Sequence, residues 1–137
     1  MAEQVRLVDY FYVLVPDKPG AGSHILQQLK DADVNLLAFS GFPEGRRAQL
    51  DFVPEDPAAL KQLARRAKWK LVGPKKAFLI ADEDRVGAMA DLLGRLANAG
   101  INVIASDAVA TRAGQFGVIL WVAPRDVRKA AKALGAK

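Results

Sequence analysis

Two short stretches of the chain carry an aspartate, a glycine and an asparagine at the same spacing. The first is Asp17-Lys18-Pro19-Gly20 followed by Asn35, and the second is Asp84-Arg85-Val86-Gly87 followed by Asn102. A carboxylate can hold an ammonium group, and an asparagine amide can both donate and accept hydrogen bonds. The glycines expose backbone amides at the start of a predicted helix, where the helix dipole favours a carboxylate. Together these groups suit a free amino acid, which carries both charges.

The candidate ligand-binding residues fall into two sets. They are Asp17, Gly20, Ala21, Gly22 and Asn35 in the first stretch, and Asp84, Gly87, Ala88 and Asn102 in the second. We expect each aspartate to lie close to its asparagine, on the view that the helix returns the chain to the same end of the sheet. The same residues also have a purely structural explanation, because they are common in turns and at helix ends. Both interpretations stay open.

The two stretches belong to a longer internal repeat. The matched positions lie 67 residues apart (84 − 17 and 102 − 35), and the segment between them reads in both copies as an amphipathic helix leading into a strand. The apolar positions match as well: Ile25, Leu26 and Leu29 correspond to Leu92, Leu93 and Leu96. A repeat of this length predicts two copies of one small domain.

Periodicity and turn residues define the elements of each copy. In the first copy we predict strands over 8–15, 34–42, 48–52 and 69–72, and helices over 22–33 and 57–67, with Asp56 as a helix cap and Gly73-Pro74 as a strand stop. The second copy has predicted strands over 76–82, 101–110 and 115–123, and helices over 87–99 and 124–134. The order βαββαβ then βαββα predicts an α+β fold of tandem ferredoxin-like units, residues 1–73 and 74–137, each an antiparallel sheet with two helices on one face.

The second copy is predicted to be incomplete. Leu50 and Phe52 match Leu120 and Val122 at a separation of 70, which makes the second hairpin three residues longer and puts the counterpart of Trp69 beyond residue 137. Residues 4–7 either fill the missing edge or leave it open to a partner strand. Because strand 115–123 is apolar on both faces, we expect its outer face to be covered, either by the first copy or by another subunit. The open edge and the apolar faces together predict a homodimer.

Composition limits the classes of function. The chain of 137 residues is 51% apolar and 26% charged, which predicts a folded protein, and it has no cysteine and one histidine. These counts argue against thiolate and histidine metal sites, and the chain has no phosphate-binding loop of the GxxxxGK type. We expect no cofactor and no enzymatic activity. The polar N-terminus and the lack of a long apolar run predict a cytoplasmic protein without a membrane partner.

The residues resemble the ACT domain family. The likeness rests on Asp17-Lys18-Pro19-Gly20, on the asparagine that opens the second strand, and on the βαββαβ order, and it covers nearly the whole chain as a tandem pair. Val86 departs from the motif, because that position is usually proline. The resemblance implies domains without catalysis of their own, an amino acid bound at an interface between two ACT-like units, and regulation of a metabolic enzyme.

Two alternatives to an amino-acid-binding regulatory protein remain open. RNA-recognition domains share the topology, and the segment 115–121 loosely echoes their third-strand motif, although Gly114, Gln115 and Val118 replace its basic, glycine and aromatic residues. The net charge of +5 would suit a polyanion, but solvated helix faces explain it more simply, so nucleic acid is the less favoured partner. The other alternative is a dimerisation module that binds no ligand.

Overall fold

The computed structural model describes residues 3–111 and 113–137. Within these residues the chain forms six strands and four α-helices. They are β1 Gln4–Pro16, α1 Ala21–Asp31, β2 Leu36–Glu44, β3 Arg47–Pro54, α2 Pro57–Ala67, β4 Val72–Glu83, α3 Ala88–Asn98, β5 Val103–Ala110, β6 Gln115–Val122 and α4 Val127–Leu134. A short 3-10 turn, Pro124–Asp126, leads into α4. The β1–β3, β2–β3, β4–β6 and β5–β6 pairs are antiparallel, which confirms the α+β class.

These elements form two compact units whose boundaries fall inside strands. The first unit is Asp9–Lys75, and the second unit combines the N-terminal residues up to Val8 with Lys76–Lys137. Each unit therefore contains a part of β1 and a part of β4. Within the first unit the strands are ordered β2-β3-β1-β4, and within the second β1-β4-β6-β5.

The core of the first unit lies between its sheet and its two helices. Phe11 pairs with Phe52 across β1 and β3, and Val13 pairs with Leu50, so these side chains share one face of the sheet. The helices cover that face with Ile25 and Leu29 of α1 and Leu60 and Leu63 of α2. The spacing of four and of three residues in these pairs gives each helix a single apolar stripe.

The start of α2 follows the prediction from sequence. Asp56 is the N-cap, and its Oδ1 accepts hydrogen bonds from the amides of Ala58 at 3.1 Å and Ala59 at 3.4 Å. Pro57 occupies the first helical turn, where its missing amide hydrogen leaves no bond unmade. The predicted cap is confirmed.

The second unit repeats this packing. Phe78 pairs with Leu120 and Ile80 with Val118, and these side chains join the buried cluster formed with α3 and α4. Phe11 and Phe78 are 67 positions apart, whereas their partners Phe52 and Leu120 are 68 apart (120 − 52). The predicted separation of 70 was therefore wrong, and the second hairpin is one residue longer than the first. Its turn includes Arg112, which lies outside the described residues.

The missing edge of the second unit is filled by the beginning of β1. Val5 is only 7% exposed and belongs to the core of the second unit. On the side of β1 away from β4, the Leu7 amide donates to the Lys137 carbonyl at 3.2 Å and the Lys137 amide donates to the Val5 carbonyl at 3.1 Å. Of the two alternatives for residues 4–7, the internal strand is confirmed.

The predicted strand stop at Gly73-Pro74 was wrong. The strand β4 begins at Val72 and runs through both residues to Glu83, whereas residues 69–71 precede it without strand structure. Gly73 has a φ of +129°, and a Cβ built there would lie 2.8 Å from both the Tyr10 carbonyl oxygen and Phe11 Cδ2. Glycine therefore serves here to let β4 approach β1 closely, and not to end a strand.

We expect Gly73→Ala to destabilise the protein by about 1–3 kcal/mol, because the new methyl group meets backbone and ring atoms at a φ that alanine avoids. Urea denaturation measures the loss. Gly94→Ala is the matched control: Gly94 lies inside α3 with no atom near its added Cβ, so alanine should stabilise the helix by about 0.5–1 kcal/mol. Equal effects of the two substitutions would show that the close approach at Gly73 does not limit stability.

The first unit buries one carboxylate on the sheet face away from its helices. Asp51 lies opposite Tyr12 on β1 and Ser40 on β2, and only 4% of it is exposed. Burial raises the pKa of Asp51, and the hydrogen bond from Gln49 Nε2, at 2.8 Å, and the nearby charge of Lys75 only partly oppose that rise. The folded protein therefore holds the proton of this carboxyl group more tightly than the unfolded chain does.

A raised pKa in the folded state means that the folded protein keeps the proton to a higher pH than the unfolded chain does. The stability associated with Asp51 is complete below its ordinary value of 3.8 and is lost as the pH rises through the folded pKa. Asp51→Asn should therefore be more stable than the wild type at pH 7, and the advantage should shrink in acid. Urea denaturation at both pH values checks this, with the exposed Asp107→Asn as control. An advantage that grows in acid would overturn it.

Candidate functional site

The two predicted glycine turns adopt the same conformation. Gly20 precedes α1 with a φ of +89°, and Gly87 precedes α3 with a φ of +83°, values that favour glycine over other residues. The hydrogen bonds agree as well: Ala21 donates to the Lys18 carbonyl and Ala88 to the Arg85 carbonyl, both at 3.3 Å. The repeat seen in the sequence is thus a repeat of backbone geometry.

A cavity of about 280 Å³ opens beside the second turn, within the second unit. It is lined by Asp84, Arg85, Gly87, Ala88, Met89, Ala90, Ala108, Val109, Ala110 and Phe116. Asp84, Gly87 and Ala88 were predicted from the sequence to bind a ligand. The structure brings these three residues together on one wall of the cavity.

The walls of the cavity differ in chemistry. One wall is the first turn of α3, where the amides of Met89 and Ala90 have no acceptor within the helix because of helix geometry. The opposite wall is the end of β5 with Phe116 of β6, and it is apolar. An anionic group suits the helix start, and an apolar group suits the strand wall.

The two charged residues of the cavity have different surroundings. Arg85 Nη1 lies 2.7 Å from Asp91 Oδ2, and this hydrogen bond raises the pKa of Arg85. The bond directs the guanidinium group toward α3, in whose first turn Asp91 lies. Asp84 adds an exposed carboxylate beside the turn. The backbone amide of Asp84 donates a hydrogen bond to the Gly114 carbonyl at 3.0 Å. A cationic group would meet the Asp84 carboxylate.

Neither asparagine lies near its aspartate, so the expected proximity was wrong. Pro16, next to Asp17, pairs with Arg47 at the start of β3, whereas Asn35 bonds to Glu55 just beyond the end of β3, with Nδ2 3.1 Å from the carboxylate. Asn102 likewise precedes Val103, which pairs with Val122 at the far end of β6. The helix between each pair runs back along the sheet and delivers the asparagine to the opposite end.

The first turn has the same backbone conformation, but a side chain occupies the space beside it. Asp17 and Gly20 lie exposed in the loop before α1, and Ala21 packs partly against the core. A Cβ on Gly22 would lie 3.8 Å from Leu50 Cδ1, and one on Gly41 of β2 would lie 3.3 Å from Leu50 Cδ2. In the first unit the Leu50 side chain therefore occupies the space between the helix start and β2.

Sequence reasoning missed the strand wall of the cavity. Ala108 pairs with Val118 and Ala110 with Phe116, so both alanines face the helix side of the sheet. Phe116 was noted only as part of the segment that echoes an RNA-binding motif. The register of β5 against β6 places these residues opposite α3, and no local pattern in the sequence specifies that register.

The described residues add no second type of site. Among them no group of three acidic or histidine side chains is arranged to hold a metal ion. Within the same residues, no helix has the length and apolar character needed to cross a bilayer.

Solved structures share the fold. No family model and no curated protein matches the chain. Protein BT0572 from Bacteroides thetaiotaomicron aligns with a TM-score of 0.82 at 17% identity, over 96% of this chain and 88% of that one. The ligand-free regulatory subunit of aspartate kinase from Thermus thermophilus aligns with a TM-score of 0.62 at 18% identity, over 96% and 94%. The corresponding subunit from Thermus flavus gives 0.60 at 20% identity, over 98% and 94%. The chain therefore shares the α+β fold of these solved structures.

Proposed function

We propose that this protein is a non-catalytic regulatory protein that binds a free amino acid in the cavity beside α3. The observation that carries the proposal is the cavity itself, whose wall contains Asp84, Gly87 and Ala88, the residues picked out by their spacing in the sequence. The likeness to regulatory subunits of aspartate kinase supports a regulatory role without catalysis.

In the proposed complex, two polar groups of the cavity bind the two charges of the ligand. The ligand carboxylate accepts hydrogen bonds from the first-turn amides of Met89 and Ala90, where the helix dipole adds to the attraction. The ligand ammonium group lies against the Asp84 carboxylate. A free amino acid meets both requirements, whereas a simple anion or a simple amine meets only one.

We further propose that the chain is a tandem pair of ACT-like domains, 1–73 and 74–137, in which the beginning of β1 completes the sheet of the second domain. The support is the set of matched hydrogen bonds that recur 67 residues apart. The Val34 amide bonds to the Leu29 carbonyl and the Ile101 amide to the Leu96 carbonyl; the Trp69 amide bonds to Ala64 and the Ala136 amide to Ala131, all at 2.9 Å. In this proposal the protein acts in the cytoplasm on a metabolic enzyme.

The proposed regulatory form is a homodimer. β2 is the edge strand of the first unit and β5 of the second, and both expose large apolar side chains. The exposed fraction is 44% for Phe39, 60% for Ile104 and 67% for Val109. Strand edges with exposed apolar residues favour pairing with another chain.

Light scattering should give a mass above the 14.8 kDa of one chain, and a mass of one chain at all micromolar concentrations would exclude the dimer.

The RNA-binding alternative receives less support. In RNA-recognition domains, exposed aromatic rings of the central strands stack on bases. Here Phe116 is 7% exposed and Trp121 is 8% exposed, so neither ring offers an open face. The other alternative, a dimerisation module without a ligand, requires that no amino acid stabilises the protein.

The proposal predicts that at least one of the twenty amino acids raises the melting temperature of the protein. A ligand at one hundred times its dissociation constant adds about 2.7 kcal/mol to the stability. Asp84→Asn should abolish most of that shift, because an amide cannot pair with the ammonium charge. Asp31→Asn, an exposed position on α1, is the control and should respond like the wild type. If no amino acid shifts the wild type, the proposal fails.

A further inference from the structure

We infer that the chain has a single amino-acid site, in the second unit, and that this site takes an amino acid with an aliphatic side chain. The inference rests on the proposed function and deepens it. It comes from comparing the cavity beside α3 with the equivalent position beside α1, where the first unit places one of its own leucines.

The equivalent residues follow from the repeat. Met89 and Ala108, on opposite walls of the cavity, correspond to Gly22 and Gly41 at a separation of 67 (89 − 22 and 108 − 41). Val118 corresponds to Leu50 at the separation of 68 that holds for β3 and β6 (118 − 50). The same three positions can therefore be compared in both units.

In the first unit these positions are closed. Leu50 is 5% exposed. Its two methyl groups lie where side chains on Gly22 of α1 and Gly41 of β2 would begin, within 3.8 Å and 3.3 Å of a Cβ built on each glycine. The absence of side chains on both glycines leaves room for the leucine between helix and strand. A ligand placed here would have to displace a buried leucine and lose the packing of that side chain.

In the second unit the same positions are open. Val118 is one carbon shorter than Leu50, and the cavity of about 280 Å³ lies between Met89 and Ala108. Val118 is 4% exposed, belongs to the core of the second unit, and is not among the residues that line the cavity. The second unit therefore has a cavity beside the start of α3, whereas Leu50 fills the space beside the start of α1.

The cavity walls select the side chain of the ligand. Ala108, Ala110, Met89 and Phe116 are apolar, and burying an aliphatic group against them removes apolar surface from water, which is favourable. A charged side chain would lose hydration against the same wall without gaining a partner. The cavity lies below the usual range of about 300–1,000 Å³ for drug-sized ligands, so a small molecule suits it. The fit is to the class of leucine and valine.

Calorimetric titration of the full chain with L-leucine, L-valine, L-lysine and L-aspartate tests the inference. We expect leucine or valine to bind with one molecule per chain and at least about tenfold more tightly than lysine or aspartate. Ala108→Leu should weaken this binding at least about tenfold, because the added side chain fills the cavity. Ala105→Leu is the matched control on the opposite face of β5 and should bind normally.

A second pair of variants locates the site without changing the volume of any side chain. Asp84→Asn should lose leucine binding, whereas Asp17→Asn should keep it. Two molecules per chain, or a preference for lysine or aspartate, would overturn the inference and leave the proposed function standing. Loss of binding in the Asp17 variant but not in the Asp84 variant would overturn both, because the site would then lie beside α1. If none of the twenty amino acids binds the wild type, the proposed function fails as well.

Discussion

Both units depend on the pairing of β1 with β4. In the second unit the first residues of β1 cover the edge of β4, and in the first unit the first residues of β4 lie beside β1. A four-stranded sheet with two helices is small, and an uncovered strand would expose part of its limited core. Val5 shows the consequence, because it is buried among residues that are more than seventy positions away in the chain. The positions of α3 and β5, and hence of the cavity, rest on a sheet completed in this way.

The sequence specified local features well and long-range register poorly. Asp56 followed by proline is a strong helix start, and the glycine turns are fixed by the φ values that they must adopt. The separation of the third strands was misjudged by two residues, 70 against 68. Side chains alternate with a period of two along a strand, so a slip of two residues keeps every apolar side chain on the same face. The pattern alone could not detect the error.

The residues of the candidate site also divide into those set by local sequence and those set by long-range strand pairing. Asp84, Gly87 and Ala88 are neighbours in sequence at one turn, and they were found because a turn is a local structure. Asn102 was assigned to the same site by a wrong assumption about the direction of the helix. Ala108 and Phe116 enter the site only through the pairing of β5 with β6, which carries no local signal. A sequence thus predicts a loop that offers polar groups more readily than it predicts the wall that faces the loop.

The difference between the two turns suggests how a repeated fold can combine stability with regulation. The first unit closes the space beside its turn with Leu50, and this contact ties α1 to β2 and β3 without any ligand. In the second unit, the proposed ligand would supply the equivalent contact between α3 and β5. The strand β5 is an edge strand that exposes Ile104 and Val109. A ligand that binds more tightly when α3 and β5 are held together shifts the population toward that arrangement. The edge offered to a partner would then depend on the ligand, and by linkage a partner that prefers the same arrangement would tighten ligand binding by an equal factor.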